Sequence, residues 1–346
     1  MNNLSKKAKI ALASGGVGLL ALAAVLAIGA FAFTISYFVK ADDWVMFSGS
    51  PHVYSGANLS VGYVDDRDGT RLLDATDGRT YSDDAQTRAA TMHLLGDRYG
   101  YIYAPLLGNF ADKMIGYDKI NGLYTLREEY STAKLSISAE VQKAALEALN
   151  GRRGTIGVYN YQTGEILCAV TSPSYDPDNM PDTTGAYTGV YLNRFFDVTY
   201  TPGSIFKLVT AAAAIENIPD IDSQSFQCNG SSIIGGQKIV CEGVHGTINF
   251  KNGLAHSCNN VFGDIAVQVG GKTMERYAKK AGLTEALSCD GYTTAKGSVD
   301  LSGADDGDVA WAGIGQYTDQ VSAYAFMRFM GVIANGGEAA EPYLMQ

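Results

Sequence analysis

The longest apolar segment of the chain lies near its N-terminus. Lys6, Lys7 and Lys9 precede an uncharged, mostly apolar run over residues 10–39. About 20 apolar residues suffice for a helix to cross a bilayer, so this pattern predicts a membrane-spanning helix. Lysines gather on the cytoplasmic side of such helices, which places everything after Lys40 outside the cell membrane. A cleaved signal peptide is the alternative, but its apolar core runs only about 7–15 residues, so we favour an uncleaved single-pass anchor.

The next segment, residues 41–135, is polar and rich in Asp, Gly and Tyr. Its stretch VGYVDDRDGTRLL predicts short strands on either side of an Asp-Gly turn. We interpret this region as a small accessory domain, and a boundary follows near Leu135. The chain therefore divides into a cytoplasmic tail with its anchor (1–40), an accessory domain (41–135) and a third domain (136–346).

The third domain begins with a helix and a hairpin. Ser138 is a good N-cap, apolar residues then recur at helical spacing, and Gly151 follows the predicted end. TIGVYNY, a QTG turn and EILCAVTS predict two antiparallel strands. After Pro202 the pattern is mainly helical, with PGSIFKLVTAAAAIE apolar on every face and further helices over residues 261–269, 273–281 and 321–334. Helices gathered around an antiparallel hairpin indicate an α+β fold.

Composition narrows the classes of function. The formal net charge is -10 and the pI is about 4.9, which argues against nucleic-acid binding because that needs basic surface. The 4 histidines and 5 cysteines are scattered, and no CxxC pair occurs. The sequence therefore predicts neither a metal site nor a cofactor.

An exterior location gives two cysteines a further interpretation. Cys228 and Cys241 flank the stretch CNGSSIIGGQKIVC, and outside the cytoplasm they could form a loop disulfide. Two free thiols are the alternative, and spacing alone does not choose between them. Cys241 with His245 also suggests a metal, but this spacing fits no standard site and we discount it.

Lys207 is the sharpest anomaly of the chain, because it is the only charge between Asp197 and Glu216 and lies in a helix that should be buried. Burial of an ammonium group lowers its pKa. Ser204 lies three residues earlier, on the same helix face and in the first turn, where the helix dipole favours negative charge. A desolvated lysine beside a serine forms a nucleophile and base pair. The alternative is a lysine whose aliphatic stem packs against the protein while its amine reaches water.

These residues form a pattern, TPGSIFK, that resembles the active-site motif of penicillin-binding proteins. Ser257-Cys258-Asn259, about fifty residues later, matches the second motif of that family, of the type S-x-N. The stretch SPSYDPDN and the segment GIGQYTDQVSAYAFMRFMGVIANGG resemble further parts of the family's transpeptidase domain. RTYSDDAQTRAATMHLLGD resembles the accessory domain of class B members. We interpret Cys258 as a buried filler and not a nucleophile.

The resemblance implies a serine β-lactamase-like transpeptidase domain and a peptidoglycan D,D-transpeptidase activity. It implies that Ser204 is the nucleophile, Lys207 the general base, Ser257 a proton relay and Asn259 a group that orients Lys207 and the substrate. The implied partners are D-Ala-D-Ala stem peptides, β-lactam antibiotics and a membrane glycan polymerase of the SEDS type. It also implies a single-pass membrane protein with its catalytic domain outside the cell.

One departure from the family concerns the third motif, K-T-G, which does not occur in these 346 residues. Lys272-Thr273-Met274 comes too early and lacks the glycine. We expect the motif to lie beyond the ANGG–PYL stretch, and a chain ending at residue 346 to be an incompetent transpeptidase. Two alternative functions stay open: a β-lactam-sensing or β-lactamase-like relative, and a non-catalytic cell-wall scaffold.

Overall fold

The computed structural model describes residues 5–47, 50, 53–55, 58–60, 62–76, 78–102, 104–115, 117–124, 132–182 and 185–346. The first four residues of the predicted cytoplasmic tail therefore lie outside the described residues. The α-helices of the described part are α1 (Lys6–Val45), α2 (Ala85–Leu95), α3 (Pro105–Asn109), α4 (Ala111–Ile115), α5 (Ala139–Leu149), α6 (Lys207–Asn217), α7 (Phe250–Ala255), α8 (Asn259–Val269), α9 (Gly271–Lys280), α10 (Asp306–Gly313) and α11 (Ala323–Ala334).

The strands are short, and most of them form antiparallel pairs. They are β1 (Tyr54–Ser55), β2 (Asn58–Leu59), β3 (Tyr63–Asp65), β4 (Arg71–Asp74), β5 (Thr80–Tyr81), β6 (Tyr117–Asp118), β7 (Leu123–Tyr124), β8 (Thr132–Lys134), β9 (Gly154–Tyr159), β10 (Ile166–Ser172), β11 (Thr199–Tyr200), β12 (Ser225–Cys228), β13 (Ser231–Ile234), β14 (Gln237–Val240), β15 (Gly246–Asn249), β16 (Ser288–Cys289), β17 (Tyr292–Thr293) and β18 (Val321–Ser322).

The N-terminal helix α1 contains an apolar stretch, Gly15–Ala41, of 27 residues with a mean hydropathy of 2.4. The most apolar 18-residue segment of this stretch is not buried against the protein. By length and composition the helix can cross a membrane. It runs a few residues past the predicted end, and there the Tyr37 hydroxyl lies 3.1 Å from the hydroxyl of Tyr117, beside β6 and β7.

The predicted accessory region contains a four-stranded sheet in the order β5-β4-β3-β8. Strands β3 and β4 flank the Asp-Gly turn, as predicted, and β8 runs parallel to β3. This sheet does not have a core of its own, because one hydrophobic cluster extends from Leu73 and Leu95 through Leu135 to Ile166 and Phe195. The division of the chain at residue 135 stays a prediction.

Helix α5 and the hairpin of β9 and β10 follow the predicted bounds closely. Asn150 adopts a left-handed conformation at the end of α5, directly before Gly151. The N-terminus of α5 is capped from a distance: Ser138 occupies the N-cap position without a side-chain bond, and the Asp66 carboxylate accepts the Ala139 N–H at 3.0 Å. The accessory region therefore helps to fix the first helix of the next region.

The helical part of the fold surrounds α6. This helix packs against α8 and α9, while α10 packs against α8. Beneath them, a second hydrophobic cluster joins α8 to the strands β12–β15 through Phe226, Ile239, Phe262 and Ile265. Helices α8, α9 and α11 lie within two residues of the predicted bounds, whereas α7, α10 and the strands β12–β15 had not been predicted.

Candidate active site

Ser204 lies in a short 3₁₀ turn, Gly203–Phe206, that leads directly into α6. The sequence analysis placed it in the first turn of a single helix, so the structure moves it to a separate turn before that helix. Strand β11 delivers the chain to this point and pairs with β18. Ser204 is exposed, so its hydroxyl can be approached from solvent.

A close backbone contact supports this turn. The Gly203 N–H donates to the Gly315 carbonyl oxygen at 2.8 Å. Gly315 has φ +77, and a Cβ placed on it would lie 2.0 Å from the Gly203 carbonyl oxygen. Only glycine accepts both the left-handed conformation and this approach. The loop that holds Gly315 therefore fixes the backbone next to Ser204.

Lys207, the first residue of α6, is the centre of the site. Its side chain is 1% exposed, so the alternative in which its amine reaches water does not hold. The Nζ atom lies 2.9 Å from the Ser204 Oγ, 2.9 Å from the Ser257 carbonyl oxygen, 3.0 Å from the Ser257 Oγ and 2.7 Å from the Asn259 Oδ1. One nitrogen therefore contacts four oxygens from both predicted motifs.

The kinds of oxygen around Lys207 suit a neutral amine as well as an ammonium group. The Ser257 carbonyl and the Asn259 Oδ1 can only accept hydrogen bonds, whereas the two serine hydroxyls can also donate. A neutral amine has two N–H groups for the two obligate acceptors and a lone pair for a hydroxyl proton. Burial lowers the pKa of the Lys207 amine, although the nearby Cys241, Cys258 and Glu242 oppose this shift.

Ser257 and Asn259 come from the connection between α7 and α8. Ser257 is exposed and has φ +50, in the left-handed region, and its carbonyl and hydroxyl oxygens contact the same amine. Asn259 is the first residue of α8, and its Nδ2 donates to the Val240 carbonyl at 2.8 Å. This bond at the end of β14 orients the amide so that Oδ1 faces Lys207.

The comparison with protein families agrees with this arrangement. The family model described as "Penicillin binding protein transpeptidase domain" matches residues 154–346, which is more than half of the chain. The chain belongs to this transpeptidase family. The α+β prediction and the resemblance stated from the motifs are thereby confirmed.

Among curated relatives of this transpeptidase family, the chain is 24% identical over 266 residues to "Peptidoglycan D,D-transpeptidase PbpA" of Mycobacterium tuberculosis. That alignment covers 70% of this chain and 54% of the relative. It is 29% identical over 179 residues to "Stage V sporulation protein D" of Bacillus subtilis, covering 48% of this chain and 27% of that protein. The chain thus spans about half the length of the PbpA relatives it matches.

Solved structures show the same transpeptidase fold. The crystal structure of PBPA from Mycobacterium tuberculosis superposes with a TM-score of 0.70 at 22% identity, covering 82% of this chain and 72% of that one. At this identity the likeness concerns the fold alone.

The structure brings together all four residues that the transpeptidase motifs had singled out, Ser204, Lys207, Ser257 and Asn259. The sequence analysis missed the groups that hold the second motif in place. These are the Val240 carbonyl and the Cys241 sulfur, which accepts the Asn259 backbone N–H at 3.4 Å. No spacing rule connects them to the motif, because strands β12–β15 bring them there. Cys228 and Cys241 are free thiols in the structure.

Proposed function

We propose that this protein is a membrane-anchored peptidoglycan D,D-transpeptidase that acts through an acyl-enzyme on Ser204. The observation that carries the proposal is the buried Lys207 amine, which contacts the hydroxyls of both Ser204 and Ser257. The family membership and the names of the relatives support it. The catalytic roles of the four residues are part of the proposal.

In the first step, the lone pair of the Lys207 amine takes the proton of the Ser204 hydroxyl. The Ser204 oxygen attacks the carbonyl carbon of the penultimate D-Ala of a stem peptide. The 2.9 Å contact between the two side chains is within hydrogen-bond reach, as a general base requires. The backbone N–H of Ser204 is the donor that we assign to the developing oxyanion.

In the second step, the tetrahedral intermediate collapses and the bond to the terminal D-Ala breaks. Ser257 passes a proton from the Lys207 ammonium to the leaving nitrogen, since its hydroxyl contacts Nζ at 3.0 Å. Asn259 keeps the amine oriented and bonds to the substrate backbone. An amine from a neighbouring stem peptide then attacks the ester, forms the cross-link and releases Ser204. A β-lactam imitates the D-Ala-D-Ala unit and traps the acyl-enzyme.

The direct test is covalent labelling of the full-length protein with a fluorescent penicillin. Ser204→Ala should abolish the labelling, and Ser302→Ala, at an exposed serine far along the chain, should not. Labelling that persists in Ser204→Ala would refute the assignment of the nucleophile.

The lysine needs a separate variant that keeps its volume. Lys207→Met should reduce the rate of labelling by roughly 10²–10⁴, the range of a general base, while the exposed Lys272→Met should label normally. Circular dichroism should show that both variants are folded, because a methionine can fill the same buried space. A normal rate in Lys207→Met would make the lysine merely structural.

A relative of the β-lactamase type would give a different result with the same reagents. The proposed transpeptidase holds its penicillin adduct for a long time, whereas a β-lactamase releases it by hydrolysis. Steady-state turnover of a chromogenic β-lactam by the full-length protein would therefore favour the alternative function.

The proposal also covers location and partners. Residues 1–40 anchor the protein with Lys6, Lys7 and Lys9 in the cytoplasm, residues 41–135 form a pedestal, and residues 136–346 belong to the catalytic domain outside. The most apolar part of α1, which is not buried against the protein, supports contact with lipid or with a membrane glycan polymerase of the SEDS type. Protease added to spheroplasts should digest the domain after Lys40, and full protection would contradict this topology. Replacing α1 with an unrelated anchor should abolish co-purification with the polymerase, and unchanged co-purification would exclude α1 as the contact.

A further inference from the structure

Four side chains of types that commonly bind zinc, three cysteines and a histidine, converge beside the second motif. Cys228 ends β12, Cys241 directly follows β14, His245 directly precedes β15, and Cys258 occupies the N-cap position of α8. The three sulfurs and a nitrogen of the His245 ring all lie within 4.8 Å of one another. Residues that are up to thirty positions apart in the sequence therefore present their ligand atoms to one point.

Three of the six distances between these atoms match the edges of a coordination tetrahedron. Zinc binds Cys sulfur at about 2.3 Å and His nitrogen at about 2.0–2.1 Å. In a tetrahedron, these bonds place two sulfurs ~3.8 Å apart and a sulfur and a nitrogen ~3.5 Å apart. The structure has 3.8 Å between the sulfurs of Cys241 and Cys258, 3.4 Å from Cys228 to the His245 Nδ1, and 3.6 Å from Cys241 to the same nitrogen.

The surroundings of the sulfurs suit bound thiolates. Cys228 and Cys258 are fully buried and Cys241 is 8% exposed. The Asn259 N–H points at the Cys241 sulfur at 3.4 Å, and the Asn260 Nδ2 points at the Cys228 sulfur at 3.6 Å. Such outer hydrogen bonds orient metal ligands. The set of three thiolates and an imidazole is a known structural zinc combination.

A disulfide would explain less of this geometry. It could join only two of the three sulfurs, and it would leave the remaining thiol and His245 without a role. The Cys241 and Cys258 sulfurs would also have to move from 3.8 Å to about 2.05 Å. Thiols alone are weak hydrogen-bond donors, so they do not account for the convergence of four ligand atoms.

We propose that Cys228, Cys241, His245 and Cys258 bind one Zn²⁺ ion. Four protein ligands fill a tetrahedral site, so the ion has a structural role and no open position for a substrate. It ties the ends of β12 and β14, the start of β15 and the N-terminus of α8 to each other.

The ion also positions the second motif, because Cys258 lies between Ser257 and Asn259. Both of these neighbours accept hydrogen bonds from Lys207, and Ser257 has the left-handed φ of +50. A metal bond at the residue between them holds this loop in the conformation that contacts the amine. This positioning role rests on the proposed acyl-enzyme function, whereas the metal site does not.

The first experiment purifies the full-length protein without chelators and measures its zinc content by inductively coupled plasma mass spectrometry. The parent should contain about one zinc ion per chain. Cys241→Ser and His245→Asn should lose most of it. Cys168→Ser and Cys289→Ser are the matched controls, since both cysteines are buried but lie outside the cluster, and they should retain it.

Two results would overturn the site. One is a parent protein with no more zinc than the cluster variants. The other is a parent whose intact mass and thiol count show two of the cluster cysteines joined in a disulfide.

A second measurement avoids variants that fail to fold. Chelation of the parent should lower its unfolding temperature, and zinc, but not magnesium, should restore it. Cobalt added to the chelated protein should give the intense visible bands and the thiolate charge-transfer absorption of a tetrahedral site. The weak spectrum of octahedral cobalt, or an unfolding temperature that ignores chelation, would contradict the proposal.

Penicillin labelling separates the positioning role from the proposed function. Removal of zinc should slow labelling by ~10-fold or more, as loss of supporting contacts does at metal sites, and zinc should restore the rate. Ser204→Ala should bind zinc normally without labelling. Zinc binding with no labelling in the parent would refute the proposed function but not the site, and a labelling rate unchanged by zinc removal would refute the positioning role.

Discussion

Asp319 offers a quantitative test of the fold, because its carboxyl group is buried. Its side chain is 0% exposed, and neither carboxyl oxygen has a hydrogen-bond partner among the described residues. Burial raises the pKa of Asp319 from the ordinary 3.8 to about 8. The perturbation is Asp319→Asn, which keeps the shape of the side chain and removes its titration.

The magnitude follows from the difference between the folded and unfolded pKa values. Between about pH 4 and pH 8 the unfolded chain ionises Asp319 and the folded chain keeps it protonated, so the folded state binds more protons. Stability from this group is present below pH 4 and is lost as pH rises toward 8. A difference of about four pKa units at ~1.36 kcal/mol each amounts to roughly 5 kcal/mol.

The assay is urea unfolding of the parent and of Asp319→Asn at several pH values between about 4 and 8. Fluorescence of Trp311 in α10 reports the transition, and the exposed Asp222→Asn is the control. Relative to the parent, Asp319→Asn should gain up to ~1.36 kcal/mol of unfolding free energy per pH unit, and the control should gain none. If the difference in unfolding free energy between Asp319→Asn and the parent does not change with pH over this range, Asp319 is not a protonated, buried group.

Three further predictions concern other sites. Gly315→Ala should lower the unfolding temperature and slow penicillin labelling, because the added Cβ would lie 2.0 Å from the Gly203 carbonyl oxygen. The control is Gly236→Ala, at a position with φ +79 and open space around it, which should not affect labelling. A labelling rate of Gly315→Ala equal to that of the parent would contradict the close contact. Asn259→Leu should slow labelling about 10-fold or more, since a buried amine loses an acceptor, and an unchanged rate would exclude that role. Burial lowers the pKa of His93 to about 4, so the free energy of unfolding should fall by ~3 kcal/mol as pH falls from about 6.5 to 4. His93→Gln should make this fall smaller in urea unfolding. The same dependence on pH in His93→Gln and the parent would refute a buried, neutral His93.

The sequence was most informative where one residue conflicts with its local pattern. Lys207 is a lone charge in an apolar helix, and Ser204 precedes it by the interval that joins two side chains on one face. The structure bears out their contact. The same reasoning predicted α5 and the hairpin of β9 and β10, because hydrophobic period and turn residues are local signals.

The remaining features depend on contacts between distant parts of the chain. Asp319 lies in a polar loop, GQYTDQ, and nothing in its neighbours shows that folding removes it from water. The ligand atoms of Cys228 and Cys258 meet only because β12–β15 fold against α8. Strands of two residues such as β11 and β18 have no period to detect, so their pairing is fixed by the tertiary structure.

The hydrophobic cluster shared by the accessory region and the β9–β10 hairpin has a mechanical consequence. Leu73 and Leu95 belong to the same cluster as Ile166 and Phe195. In addition, the Arg88 guanidinium donates hydrogen bonds to both carboxylate oxygens of Asp176, at 2.6 and 2.7 Å. A hinge between these regions would have to open this cluster to water, at about 25 cal/mol for each Å² of apolar surface. The two regions should therefore move as one rigid unit, so that a force applied to either is transmitted to the other.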